Sequence, residues 1–258
     1  KEQQDRFIPA FMNDHTYLLG YAATEPNASS DNRMPPESDP KAGWRLKAER
    51  RGDEWLINGE KMLIANGSVA KLFFVNTRTN PDVSIKEGTT LFLVPSDTPG
   101  FRVGKVFNKN GWRFYQNAEL IFEDARVPHA NVIGEVNGGH KARAADTSQF
   151  GDIELAAIAL GICDAALDMA LGYARKTTRE GRVLSAHQTV QLRLAEMQVL
   201  TEALRSYVLR TACERELAQR PGAKSKDYLN AQLVMIFAKD AVQRLSLIHI
   251  SEPTRPER

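Results

Sequence analysis

The sequence is poor in the residues that mark a metal site or a disulfide framework. Its 258 residues include two cysteines and five histidines. Cys163 and Cys213 form no CxxC pair, and both fall in apolar-periodic segments. Two buried thiols are expected, rather than a disulfide or a metal site. The histidines are scattered, with no HxxxH or His/Cys spacing, which argues against zinc. An excess of one charge is also missing: 34 Lys+Arg against 32 Asp+Glu leave a formal +2. Without a broad basic face the chain has no footprint for phosphate backbones, so nucleic-acid binding is not expected. No run of about 18 apolar residues stands out, so no membrane span is expected. The first residues, Lys1-Glu-Gln-Gln-Asp5, lack a signal-peptide layout and an initiator Met, which suggests a chain that begins mid-protein.

What is present changes texture twice. Phe7, Ile8, Phe11 and Met12 share one face at helical spacing, so residues 1–19 read as the end of an N-terminal helical domain. Over residues 20–137 short β-prone runs alternate with turn residues. The runs are Trp44–Ala48, Trp55–Ile57, Leu72–Val75, Thr90–Val94 and Glu119–Phe122. Arg51-Gly-Asp, Asn58-Gly, Asp97-Thr-Pro-Gly and Val127-Pro-His separate them. Such closely spaced runs suggest a β-barrel-like or sandwich middle domain. After Gly138-Gly139 the period becomes helical. Ile153–Arg175, Val190–Ala218 and Lys226–Leu245 predict long amphipathic helices, packed antiparallel because their connections are short. Arg193, Glu196, Glu202 and Arg205 mark solvated faces. Residues 138–245 are thus a partial helical domain, and the whole is an α+β multidomain chain expected to be truncated at both ends. Residues 246–258 break the pattern: Pro253 and Pro256 forbid a continuous helix. The stretch Leu247-Ile-His-Ile-Ser-Glu-Pro-Thr-Arg-Pro256 also resembles a translated sequencing adaptor. It reads as a foreign or disordered tail.

The motifs point further. Leu19-Gly-Tyr-Ala-Ala-Thr-Glu-Pro-Asn-Ala-Ser-Ser-Asp31 resembles the signature of the acyl-CoA dehydrogenase family. Further matches follow in the family's order. They are Trp55-Leu-Ile-Asn-Gly-Glu-Lys-Met62, Ile64-Ala-Asn-Gly67, Phe92-Leu-Val-Pro95 with Thr98-Pro-Gly-Phe101, Gly111-Trp-Arg113, and Phe122-Glu-Asp-Ala-Arg-Val-Pro128 with Asn131–Glu135. In the helical region Gly161, Ala166-Leu-Asp168, His187-Gln188 and Leu194-Ala-Glu-Met197 continue the series. An ordered set over roughly residues 1–245 is far more specific than any one block. The resemblance implies FAD-dependent α,β-desaturation of an acyl-CoA thioester. Tyr21, Ala22, Ala23 and Thr24 would line the flavin, with Thr24 bonding its pyrimidine edge. Ser30 would lie where flavin meets the thioester, and Leu63, Ile64 and Ala65 would face the flavin through backbone groups. Taken alone, Glu25-Pro26-Asn27 reads better as a simple β-turn and Ser30 as a turn residue.

Two departures from the family pattern stand out. Where relatives carry Trp-Ile-Thr, this chain has Leu63-Ile64-Ala65, losing the aromatic plate and a hydroxyl donor. In an element that reaches a neighbouring subunit's flavin, His187, Gln188 and Gly181 match. There Thr177 and Glu180 replace the usual arginine and phenylalanine, and Arg179 is the alternative diphosphate contact. A solvated charged turn is the competing reading of residues 175–181. The reaction needs a carboxylate base. The family's usual glutamate would lie beyond Leu245. Glu154 is the one in-chain candidate, almost a turn past the minority position that Gly151 occupies, so the catalytic residue is unknown and the chain alone is expected to be inactive. Gln149 and Asp152 are poor matches to the family's CoA-gripping residues. The implied partners are acyl-CoA, electron-transfer flavoprotein or another acceptor, and further copies in a homodimer or homotetramer. The implied location is bacterial cytoplasm or the mitochondrial matrix. A flavin monooxygenase or oxidase of the same fold, and a flavin-poor structural subunit, remain as alternatives.

Overall fold

The structure, a computed structural model, describes residues 1–33, 39, 42–144, 151–218, 220 and 229–251. Two compact units divide the chain, Lys1–Ala145 and Asp146–Arg258.

The first unit opens with helix α1 (Glu2–Asn13), which carries Pro9 inside it. Its predicted apolar face is largely uncovered, with Ile8, Phe11 and Met12 exposed. The helix is tied down by polar contacts instead: Gln3 Nε2 donates to the carbonyl oxygens of Ala130 and Val132, and Arg6 to Asn131 Oδ1. The strands are β1 (Leu18–Ala22), β2 (Lys47–Arg51), β3 (Glu54–Ala65), β4 (Ala70–Arg78), β5 (Thr89–Pro95), β6 (Phe101–Val106), β7 (Asn117–Pro128) and β8 (Val132–Ile133). They form one sheet in the order β6-β7-β3-β2-β4-β5-β8, with β1 paired to β4. The expected β-rich middle region is therefore present, but as an open sheet rather than a closed barrel. Nor is it purely antiparallel, since β1 and β2 both run parallel to β4.

Local chemistry explains much of this. Arg51-Gly-Asp is the predicted turn, a two-residue hairpin joining β2 to β3, with Gly52 at φ 64. Asn58-Gly59 is not a turn. It lies inside β3 at a bulge where the register against β7 shifts. There Gly59 takes φ 125, and the Asn58 side chain exchanges two hydrogen bonds with Asp124. A bulge needs the same permissive residues as a turn, so the sequence signal is ambiguous. The first half of β7 alternates half-buried and buried residues, as a strand packed on one face should. β5 is buried on both faces, beneath the short helix α2 (Gly139–Ala144). A Cβ at Gly139 would stand 2.9 Å from the Thr89 carbonyl oxygen, so only glycine lets α2 approach. Ile57, Phe73, Val75, Phe92, Leu120 and Phe122 make the core.

The second unit consists of α3 (Gly151–Lys176), a hairpin of β9 (Thr178–Arg179) and β10 (Arg182–Val183), α4 (Gln188–Ala218) and α5 (Leu229–Ser251). The three helices bury Ala156, Cys163, Leu167, Met197, Leu200, Leu204, Val208, Val234, Ala238, Ala241 and Leu245 in one cluster. Arg205 reaches from α4 to Asp164 on α3 at 2.5 Å, and Arg244 on α5 pairs with Glu196 on α4. Those charges link neighbouring helices at the edge of the core rather than only facing solvent. Three expectations change here. Cys213 is exposed, unlike Cys163. Helix α5 passes Leu245 and runs to Ser251, because the first position that resists helix is Glu252, before Pro253; residues 252–258 lie outside the described residues. Finally, α3 is long and apolar enough to cross a membrane by length and composition, with mean hydropathy 1.8 in its most apolar window. Its small residues, alanine and glycine, obscured that in the sequence.

Candidate functional site

The predicted cofactor residues of the first unit lie on two adjoining segments, the end of β1 and the end of β3. Three hydrogen bonds join them. Met62 N–H donates to Thr24 O at 2.8 Å. Asn66 Nδ2 donates to Leu19 O at 3.0 Å. Lys61 Nζ donates to Ala23 O at 3.2 Å. Gly20 lets the strands come this close: a Cβ there would lie 2.5 Å from the Phe73 ring and 3.3 Å from Ala65 O. The structure thus brings Tyr21, Ala22, Ala23 and Thr24 beside Leu63, Ile64 and Ala65.

Each residue then has its own setting. Tyr21 is exposed, and its hydroxyl accepts a hydrogen bond from Asn76 Nδ2. Asn76 itself is fully buried, and its Oδ1 has no partner among the described residues. Ala22 is fully buried. Thr24 uses its carbonyl oxygen toward Met62, and its amide and hydroxyl make no hydrogen bond among the described residues. Ser30 is exposed and opens a short 3-10 turn, Ser30–Arg33.

The β3 end is the irregular part. The register against β7 shifts between Lys61 and Ile64. In that bulge Leu63 takes φ 58, a left-handed conformation costly for a bulky residue. Asn117 Nδ2 donates to Leu63 O at 2.6 Å and holds the peptide there. The Leu63 side chain is exposed, while Ile64 is buried in the sheet core. Ile64 can therefore offer a cofactor only its backbone. Bulges of this kind re-aim groups at sites. Sequence reading missed Asn117, Lys61 and Asn76 as supporting residues. Their partners are 54, 36 and 55 positions away.

The residues predicted in the second unit are on separate elements. Glu154 is exposed in the first turn of α3. Gln149 lies outside the described residues. Arg179 ends β9, and Glu180 and Gly181 form the hairpin turn with φ 52 and 75, the left-handed pair of a type I′ turn. His187 leads into α4 at Gln188; its N–H donates to Leu184 O, and its Nε2 is buried without a partner among the described residues.

Uncommitted Thr24 donors, an exposed Leu63 and a bulged backbone fit the edge and face of a planar, hydrogen-bonding cofactor. No group of three or more His, Cys, Asp or Glu that could hold a metal occurs among the described residues.

Comparison with known proteins matches both parts of the chain to one family. A family model described as "Acyl-CoA dehydrogenase, middle domain" matches residues 20–125, and one described as "Acyl-CoA dehydrogenase, C-terminal domain" matches residues 143–247. The chain is 37% identical to a probable acyl-CoA dehydrogenase of Bacillus subtilis over 88% of its own length and 57% of that protein's. It is 35% identical to cyclohexane-1-carbonyl-CoA dehydrogenase of Syntrophus aciditrophicus over 82% of its length and 52% of that protein's. The solved structure of butyryl-CoA dehydrogenase from Megasphaera elsdenii superimposes with a TM-score of 0.78 at 31% identity, covering 95% of this chain and 60% of that one. This chain belongs to the acyl-CoA dehydrogenase family. It spans under two thirds of the length of these relatives.

Proposed function

We propose that the chain supplies the flavin-holding part of an FAD-dependent acyl-CoA dehydrogenase, acting in α,β-desaturation of a CoA thioester. The observation that carries this reading is the junction of Thr24 with the β3 bulge, through Met62 N–H to Thr24 O at 2.8 Å. In it, Thr24 supplies hydrogen-bond donors to the pyrimidine edge of FAD, Leu63 packs against the ring, and the Ile64–Ala65 backbone faces the reactive edge. Ser30 lies toward the thioester. FAD held there would supply the hydride acceptor for the substrate's β-carbon, and a carboxylate would take the α-proton.

Arg179, His187 and Gln188 are read as reaching the cofactor of a second copy in a homodimer or homotetramer. The exposed apolar residues Ile158, Ile162 and Met169 of α3 support such a covered face. Electrons pass to an electron-transfer flavoprotein or another acceptor. The test is FAD titration of the purified chain, followed by an acyl-CoA panel with an artificial acceptor. Stoichiometric FAD uptake supports the reading. Failure to take up FAD contradicts it, and turnover above a no-enzyme control overturns the expectation that the chain alone is inactive.

A further inference from the structure

Beneath the proposed flavin strand lies a charge that the fold buries completely. Lys61 leaves β3 with no solvent exposure, and its Nζ sits 2.8 Å from Glu25 Oε1. The same nitrogen donates to Ala23 O at 3.2 Å and lies 5.4 Å from the centre of the Trp44 ring. The Glu25 carboxylate accepts two more hydrogen bonds, from Arg45 N–H at 2.7 Å and Leu46 N–H at 3.1 Å. An ammonium buried this deeply opposes folding unless its partners are well placed, and an apolar side chain of similar length often serves stability as well. The benefit of the charge lies in what it fixes. Its two acceptors stand on either side of Thr24: the Ala23 carbonyl before it and the Glu25 side chain after it. The neighbouring residue Met62 takes the Thr24 carbonyl oxygen. Consecutive residues of β3 therefore grip three consecutive residues, Ala23, Thr24 and Glu25, and the amide and hydroxyl of the middle one are left uncommitted among the described residues.

We propose that Lys61 is a positioning residue which, with Glu25, fixes the Ala23–Glu25 backbone so that Thr24 meets the pyrimidine edge of FAD. This rests on the flavin reading above. A purely structural ion pair is the competing explanation, and the two differ in a double variant. Lys61→Met leaves Glu25 buried and unpaired, so both stability and FAD affinity fall under either explanation. Lys61→Met combined with Glu25→Gln removes both charges, and stability recovers in part: no lone carboxylate stays buried, but the glutamine oxygen can accept from only one of the Arg45 and Leu46 N–H groups. Positioning requires that FAD affinity does not recover with it.

The experiment uses the full chain and its variants, with three measurements: urea midpoints without flavin, FAD dissociation constants by flavin fluorescence, and amide hydrogen exchange over residues 22–27 and 72–75. The expected result for the double variant is a midpoint restored part of the way from that of Lys61→Met toward wild type, FAD binding at least tenfold weaker than wild type, and faster exchange confined to residues 22–27. Recovery of FAD affinity together with stability overturns the proposal, as does unchanged exchange over residues 22–27. If the Lys61→Met single variant does not fold, the double variant decides alone. A wild-type chain that folds but takes up no FAD overturns the flavin reading; the exchange comparison then still decides whether Lys61 holds the Ala23–Glu25 backbone.

Discussion

Asn117 donates a hydrogen bond from Nδ2 to the carbonyl oxygen of Leu63 at 2.6 Å. That contact bridges β7 to the bulge in β3 and holds Leu63 at φ 58. Replacing Asn117 with Ala removes it, at a cost of about 1 kcal/mol in stability. The bulge then loses its side-chain restraint, so FAD affinity should fall by more than the urea midpoint alone would suggest. Unchanged FAD affinity in Asn117→Ala would separate the bulge from the cofactor.

Where the family resemblance implies an aromatic plate, Leu63 presents an exposed side chain. A larger ring therefore enters no packed core. Leu63→Trp should tighten FAD binding by about 0.5–1.5 kcal/mol through ring stacking, read by flavin fluorescence quenching. A weaker complex would mean that the Leu63 side chain does not lie against the flavin.

Thr24 is the residue proposed to meet the pyrimidine edge of FAD. Thr24→Val keeps the shape and deletes the hydroxyl, so FAD should bind more weakly by about 1 kcal/mol while the urea midpoint stays close to wild type. Equal affinity would remove Thr24 from the cofactor contact.

Burial pushes the Lys61 ammonium down to about 8 from an ordinary 10.5, against the attraction of Glu25. The folded chain therefore releases this proton at lower pH than the unfolded chain. Between about pH 8 and the ordinary lysine range the unfolded state holds more protons, so this group adds stability as pH rises through that window. Below it, the charged form carries its desolvation cost. Wild type and Lys61→Met should thus diverge in favour of wild type between pH 8 and 10. A urea-midpoint difference that is flat, or that moves the other way, contradicts the assignment.

Leu204 is fully buried where α3, α4 and α5 meet. Leu204→Ala should destabilise the helical unit by about 2–5 kcal/mol. A smaller loss in the urea midpoint would mean a core that closes over the gap.

The texture of the sequence carried the architecture a long way. The helical period of Ile153–Arg175 and Val190–Ala218 appears as α3 and α4, and the apolar run Thr90–Val94 lies within β5. What escaped was non-local. Asn58-Gly59 has turn chemistry but bends a strand, because its partner is Asp124 across the sheet. The parallel pairing of β1 with β4 joins segments about fifty residues apart, and no local pattern encodes it. At the site, Tyr21–Thr24 and Leu63–Ala65 were legible as motifs. The groups that hold them, Lys61, Asn76 and Asn117, were not, since each is defined by a partner distant in sequence.

The most direct measurement is hydrogen–deuterium exchange of the full chain with and without FAD. The junction of β1 with the β3 bulge predicts protection on FAD binding in two places, residues 20–30 and residues 62–67, with the core of β5 unchanged. Protection elsewhere in the sheet with none at these two segments, or no change with FAD at saturating concentration, would contradict the account.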